Sequence, residues 1–156
     1  METSETIKSD YTARAICYEE LGRVLLTLRS ESSKFRSHCY DLPGGKSDTS
    51  ETPKITAARE LAEETGLIVL ADSLIDIFGK PLVHKFDDGR TRDVHFFAIK
   101  IKGILPKLSM SNEVSNYEWV HPQEAVYRLD QPVQYQAMKL AYNSNFFRRF
   151  APRFSN

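Results

Sequence analysis

The segment from Thr52 to Gly66 constrains this chain more than any other. Thr52 suits an N-cap, Pro53 suits the first helical position, and Gly66 suits the left-handed residue that closes a helix after Thr65. Between them Ile55, Ala58, Leu61 and Ala62 recur at helical spacing, which predicts a helix whose apolar stripe packs on a sheet. At about 100° per residue, Glu60, Glu63 and Glu64 share one face, roughly opposite that stripe. Like charges at these spacings cost a few tenths of a kcal/mol each. They also sit in the C-terminal half of the helix, where its dipole disfavours anions. The ordinary fate of such residues is a solvated acidic face. A hard cation removes the conflict, because Mg²⁺ takes oxygen ligands and is held by a few carboxylates together with substrate phosphates.

The flanks favour the cation. Gly44-Gly45 precedes the helix, where backbone lacking a Cβ can approach a ligand closely. Glu51 lies just before the cap, and Arg59 sits beside the acids, within i,i+4 reach of Glu63. Gly45, Glu51, Arg59-Glu60-Leu61-Ala62-Glu63-Glu64-Thr65-Gly66 and Leu67 together match every fixed position of a 23-residue pattern, so the chain resembles the Nudix hydrolase family. The lead-in Leu42-Pro43-Gly44-Gly45-Lys46 and the segment Tyr117-Glu118-Trp119-Val120 are similar to that family as well.

The resemblance implies an α/β (α+β) fold, a mixed β-sheet sandwich between α-helices, carried by one domain over residues 1–156 with 1–10 flexible. It implies Mg²⁺-dependent hydrolysis, with Mn²⁺ as a substitute, of a nucleoside diphosphate linked to another group X. Glu60, Glu63 and Glu64 match the metal-binding carboxylates, and the Gly44 carbonyl matches a backbone ligand. Arg59 and Glu51 resemble the pair that orients helix and loop around the reaction, with Gly45 and Gly66 structural in the motif. The general base is either Glu64, within the motif, or Glu113, on a later loop. Lys46, Arg29 and Arg92 are candidates for substrate phosphates, each with a surface role as the alternative. Tyr40, Phe78 and Phe86 can stack on a base or pack in the core. His84, His95 and His121 read as packed or surface residues, and Trp119 as core. The substrate expectation leans to a nucleoside triphosphate, cleaved to a monophosphate and pyrophosphate. Pro81, 14 residues after Leu67, is the cue for the alternative, ADP-ribose or another nucleotide sugar. A nucleotide-sensing module without catalysis is the rival of another class.

The rest of the chain reads as strands over 12–18 and 23–29 joined by a turn at Glu19–Gly22. An extended stretch runs from Leu67 to Phe78, and a hairpin joins 82–86 to 91–101 at Asp87-Asp88-Gly89. A long loop spans 103–116, a short strand 117–120, and helices 122–129 and 133–150. The helix end Phe146-Phe147-Arg148-Arg149-Phe150 suits either a dimer contact or a lid over the sheet.

With 21 basic and 21 acidic residues the chain lacks the broad positive field of a general nucleic-acid binder, so no DNA partner is expected. After Asp130 there are no acids, and Lys139, Arg148, Arg149 and Arg153 make that end basic, usually a solvated face. Cys17 and Cys39 form no metal-ligand pattern and fit a reducing compartment. The polar N-terminus lacks the apolar core of a signal peptide, and no run is long enough to span a bilayer. The expectation is a soluble cytoplasmic protein, monomer or homodimer, whose partner is a small nucleotide.

Overall fold

The computed structural model describes residues 10–32, 36–48, 50–144 and Phe147. Its strands are β1 (Tyr11–Tyr18), β2 (Val24–Arg29), β3 (Tyr40–Asp41), β4 (Gly44–Lys46), β5 (Ile75–Asp76), β6 (Leu82–Lys85), β7 (Thr91–Lys100) and β8 (Val114–Val120). The helices are α1 (Pro53–Thr65), α2 (Pro122–Arg128) and α3 (Pro132–Asn143), with a 3₁₀ turn at Ala71–Ser73. The eight strands form one mixed sheet, in which β1 and β7 run parallel and the remaining pairs antiparallel.

The expected hairpin of β1 and β2 exists at its root alone. Glu19 caps the turn by accepting from the backbone N–H groups of Leu21 (3.1 Å) and Arg23 (2.8 Å). The strands pair at Tyr18 and Val24, then part. β1 turns to β7 along its whole length and takes β4 against its other edge at residues 12–14, whereas β2 pairs with β3 and β8. The sheet therefore splits between β1 and β2.

Strand alternation assigns the two faces. Ile16, Tyr18, Val94, Phe96 and Ala98 join Val24, Leu26 and Leu42 under Ala125 and Val126 of α2 and Ala137, Met138 and Ala141 of α3. Ala13, Ala15, Cys17, Phe97 and Ile99 face Ala57 and Leu61 of α1. A mixed sheet between helices results, as expected.

α1 has the expected limits. Thr52 Oγ1 accepts from the Ile55 N–H at 3.4 Å, and Gly66 closes the helix at φ 75°. Its buried face differs from the apolar stripe. Ile55 is 46% exposed, while Ala57, Leu61 and Thr65 are fully buried, so the helix is rolled toward its glutamates. The roll is possible because the buried threonines are satisfied. Thr65 Oγ1 donates to the Leu61 carbonyl at 2.6 Å, and Thr56 Oγ1 donates to Glu51 at 3.0 Å.

Elsewhere the stretch 67–78 is mostly irregular, with the 3₁₀ turn and the two-residue β5, because its apolar residues Ile68, Leu70 and Ile75 face outward. β4 lies where the glycines predict a break, and β8 begins three residues earlier than expected, bulging at Leu28/Arg29 of its partner. α3 runs to Asn143 and is closed at Ser144, Phe147 is again helical and buried in the core, and the rest of the expected helix to 150, the expected contact at 146–150 and the flexible start at 1–9 lie outside the described residues. Among the described residues no helix is long and apolar enough to cross a membrane.

The rolled helix makes a testable contrast. Leu61→Ala should lower unfolding free energy by about 2–5 kcal/mol, and Ile55→Ala by about 0.5 kcal/mol or less, both read from urea titrations.

Candidate functional site

The split sheet opens a cleft of about 360 Å³. It is lined by Glu60, Glu64 and Glu113 together with Arg14, Arg29, Lys46 and Arg92. Gly44 and Gly45 line it as well, so the three expected phosphate contacts and the two alternative bases all reach one space.

The glycines explain how a helix packed on the opposite sheet face reaches this cleft. A Cβ on Gly45 would stand 2.5 Å from the Glu60 carboxyl carbon, and one on Gly44 would stand 2.3 Å from the Ala13 carbonyl oxygen. The bare β4 backbone is thus a window through which α1 presents its acids. The Gly44 N–H donates to Glu64 Oε2 at 3.3 Å.

The three motif glutamates occupy three depths. Glu64 lies deepest, and burial pushes its carboxyl up to about 8, opposed by Arg14 and reinforced by Glu60. Glu60, with 16% of its side chain exposed, is also raised by burial. Glu63 is 58% exposed, does not line the cleft, and meets Arg59 at 3.2 Å. Arg59 binds the motif together. Its Nε and Nη2 donate to Glu51 at 2.7 and 3.0 Å, its Nη1 to Glu60 at 3.1 Å, and its Nη2 to the Lys46 carbonyl at 3.0 Å. Glu51 also accepts from the Asp48 N–H at 2.8 Å. The hydrogen bonds from Arg59 hold the Glu51 carboxyl down at about 2.

The donor set suits a hard divalent cation. All its groups are carboxylate oxygens, and Mg²⁺ needs few protein ligands when phosphates complete its shell. Among the described residues no three acidic, His or Cys side chains already converge on one point. Glu60, Glu64 and Glu113 nevertheless share the cleft. Glu64, whose carboxyl burial pushes up, is the group a cation would hold ionised.

Several residues lie elsewhere than their sequence implies. His84, expected as packed or surface, lines the cleft, and so do Arg14, Thr12 and Gln131. Phe86 alone of the three candidate stacking aromatics lines it. Tyr40 donates to Glu118 at 2.8 Å and Phe78 packs on Phe96. Alternation along β1 and β6 was the available signal for Arg14 and His84, because Arg14 and Val94 point to one face. The partner strands were not readable. His95 packs on Tyr11 and Phe97, and His121 caps α2 through Nδ1. Trp119 is partly buried against the core.

A split mixed sheet with this loop–helix motif defines a class, and the NUDIX domain model matches residues 8–141; the chain belongs to the NUDIX family. An "8-oxo-dGTP diphosphatase" of Haemophilus influenzae is 39% identical over 66 residues, 42% of this chain and 48% of that protein. An "ADP-ribose pyrophosphatase" of Methanocaldococcus jannaschii is 35% identical over 62 residues, 40% of this chain and 36% of that protein. The chain thus spans half or less of the length of these two relatives. A MutT protein of Methanosarcina mazei has the same fold, with TM-score 0.67 and 26% identity over 90% of this chain and 91% of that one.

Two pH effects follow. Glu51 has a depressed pKa in the folded state, so its stabilisation is complete above the ordinary carboxylate value of 4.5 and is lost as pH falls toward about 2. Glu51→Gln should destabilise the protein at pH 7 and flatten the fall in stability between those values, measured by urea unfolding at a series of pH values. Glu64 has the opposite sign: its raised pKa stabilises the apo fold below 4.5 and that contribution is lost as pH rises through about 8. The rise in melting temperature on adding Mg²⁺ should therefore grow from pH 6 to pH 8.5, and Glu64→Gln should remove that growth.

Proposed function

We propose that this chain is a Mg²⁺-dependent pyrophosphohydrolase that cleaves a nucleoside diphosphate linked to X, with a nucleoside triphosphate as the favoured substrate and a monophosphate and pyrophosphate as products. The observation that carries this reading is the gathering of acidic and cationic side chains around one cleft. A pyrophosphate needs both: carboxylates to hold cations, and cations to hold its own oxygens. The whole chain is read as one such domain.

Glu60 and Glu64 would hold the ion, with Glu63 swinging from Arg59 to join them and the Gly44 carbonyl nearby. When bound, Mg²⁺ supplies neutralisation of the pyrophosphate oxygens and an acidified water. Mn²⁺ substitutes in the same oxygen set. Arg59 acts by position. Its bonds to Glu51 and the Lys46 carbonyl hold loop and helix together, and its bond to Glu60 aims that carboxylate. Glu64, once ionised, or Glu113, which lines the same cleft, takes the proton of the attacking water. Lys46, Arg29 and Arg92 bind phosphate oxygens.

The relative named as an 8-oxo-dGTP diphosphatase supports the triphosphate reading. The relative named as an ADP-ribose pyrophosphatase, together with Pro81 just before β6, supports the second reading, a nucleotide sugar.

Phosphate release from a substrate panel, with Mg²⁺ and with EDTA, tests this. Triphosphates coupled to inorganic pyrophosphatase should give signal that EDTA abolishes. Signal confined to nucleotide sugars coupled to alkaline phosphatase would transfer the assignment to the second reading. Binding without turnover of either kind would make the chain a sensor. Glu64→Gln should lower kcat by roughly two orders of magnitude or more with its circular dichroism spectrum unchanged, and near-normal turnover would sink the metal assignment.

A further inference from the structure

Two buried polar side chains stand outside the cleft and yet hold its lining in place. Gln134 of α3 is fully buried, Asp41 of β3 is 4% exposed, and neither lines the cleft. Gln134 is the third residue of α3. A glutamine at that position ordinarily turns back to the backbone of the capping residue. Gln134 crosses to the sheet instead. Its Oε1 accepts from the Leu42 N–H at 2.8 Å, and its Nε2 donates to Asp41 Oδ1 at 2.8 Å and to Gln131 Oε1 at 2.7 Å. Both amide hydrogens and the oxygen are thus used, as a buried amide requires.

The first of these bonds sets the backbone that leads into the glycines. Leu42 gives its N–H to Gln134, and its carbonyl accepts from Arg14 Nη1 at 2.8 Å. The Pro43 carbonyl accepts from the Ala15 N–H at 2.8 Å, and the Gly44 N–H donates to Glu64 Oε2 at 3.3 Å. Every polar backbone group from the Leu42 N–H to the Gly44 N–H therefore has a partner. Arg14, Gly44 and Glu64 line the cleft, and Gln134 is the residue by which α3 grips this segment.

Asp41 extends the grip to a cation. Its Oδ1 accepts from Gln134 and, at 2.9 Å, from Arg36 Nη1, and its Oδ2 meets Arg29 Nη1 at 3.5 Å. Arg29 lines the cleft. Gln134 thus fixes the carboxylate by one oxygen while the other is turned to Arg29.

We propose that Gln134 and Asp41 are positioning residues for the hydrolysis. Gln134 holds the Leu42–Gly44 backbone, so that the Gly44 carbonyl and Arg14 keep their places around Glu64, and Asp41 aims Arg29 at the substrate. This rests on the pyrophosphohydrolase reading for its kinetic arm alone.

Three variants of nearly unchanged shape test this by Mn²⁺ binding without nucleotide, read by electron paramagnetic resonance, and by steady-state kinetics with Mg²⁺. Gln134→Glu keeps the oxygen that accepts from Leu42 but sets a second carboxyl against Asp41. It should weaken Mn²⁺ binding and lower kcat, each by roughly 10–100-fold, the usual cost of disturbing a group that orients a metal ligand. Asp41→Asn keeps an acceptor for Gln134 and turns an amide toward Arg29. It should raise KM about tenfold, with kcat and Mn²⁺ affinity nearly unchanged. Gln134→Glu combined with Asp41→Asn exchanges donor and acceptor in the same bond. The pair should restore kcat and Mn²⁺ affinity to within about threefold of wild type, with KM still raised. A lower melting temperature in Gln134→Glu with Mn²⁺ affinity and kcat unchanged would show a structural role alone and overturn the proposal. So would a double variant no better than Gln134→Glu. Should Gln134→Glu alone not fold, Asp41→Asn and Arg29→Ala decide: their effects on KM should not add, and additive effects overturn the proposal. Wild type that turns over no nucleotide removes the hydrolase reading and leaves Mn²⁺ binding to decide. Wild type that binds no Mn²⁺ overturns both.

Discussion

Arg59 holds together a motif that would otherwise repel itself. Its guanidinium meets Glu51, Glu60, Glu63 and the Lys46 carbonyl, so one cation joins the loop before α1 to both exposed and buried acids of the helix. Glu51 returns the constraint by accepting from Arg59, Thr56 and the Asp48 N–H. The Tyr11 hydroxyl donates to the Glu51 carbonyl, which ties the same loop to β1. Loop, helix and first strand are thereby tied to one another by side-chain hydrogen bonds. Such preorganisation matters in a site whose ligands must sit close to a fixed geometry.

The second determinant is the parting of β1 and β2. One pairing at Tyr18 and Val24 joins the halves of the sheet, and β4 wedges in beside β1 at residues 12–14. Because β4 carries glycines where side chains would otherwise block the way, the acids of a helix packed on one sheet face open into a cleft floored by the other. Thr12, Arg14, Val94 and Arg92 make that floor, and the same face continues inward as Ile16 and Phe96 under α2 and α3. A single alternation thus supplies a dry core at one end and a charged site at the other.

What was readable depended on how local each signal is. The limits of α1 were legible because caps act within one turn: Thr52 to Ile55 at the start, Gly66 at the end. The β6–β7 hairpin was legible from Asp87-Asp88-Gly89, where Gly89 takes φ 87°. The roll of α1 was not, since Thr56 and Thr65 read as polar until their hydroxyl partners are known. The parallel pairing of β1 with β7 joins residues about eighty positions apart, and no turn announces it. The placing of His84 and Arg14 in the cleft follows from that pairing and was hidden with it.

The sequence by itself determined the chemistry on offer: an acidic helix with its clamp and glycine lead-in, each set by residue spacing along a few turns of backbone. Tertiary structure decided which groups share a space and at what depth. It sank Glu64 deepest of the three, left Glu63 on the surface, and gathered Arg14, His84 and Arg92 around one cleft. The reason is physical. Spacing along a chain fixes directions within one element, whereas burial, and with it the strength of every charge in the cleft, depends on which distant strand lies alongside.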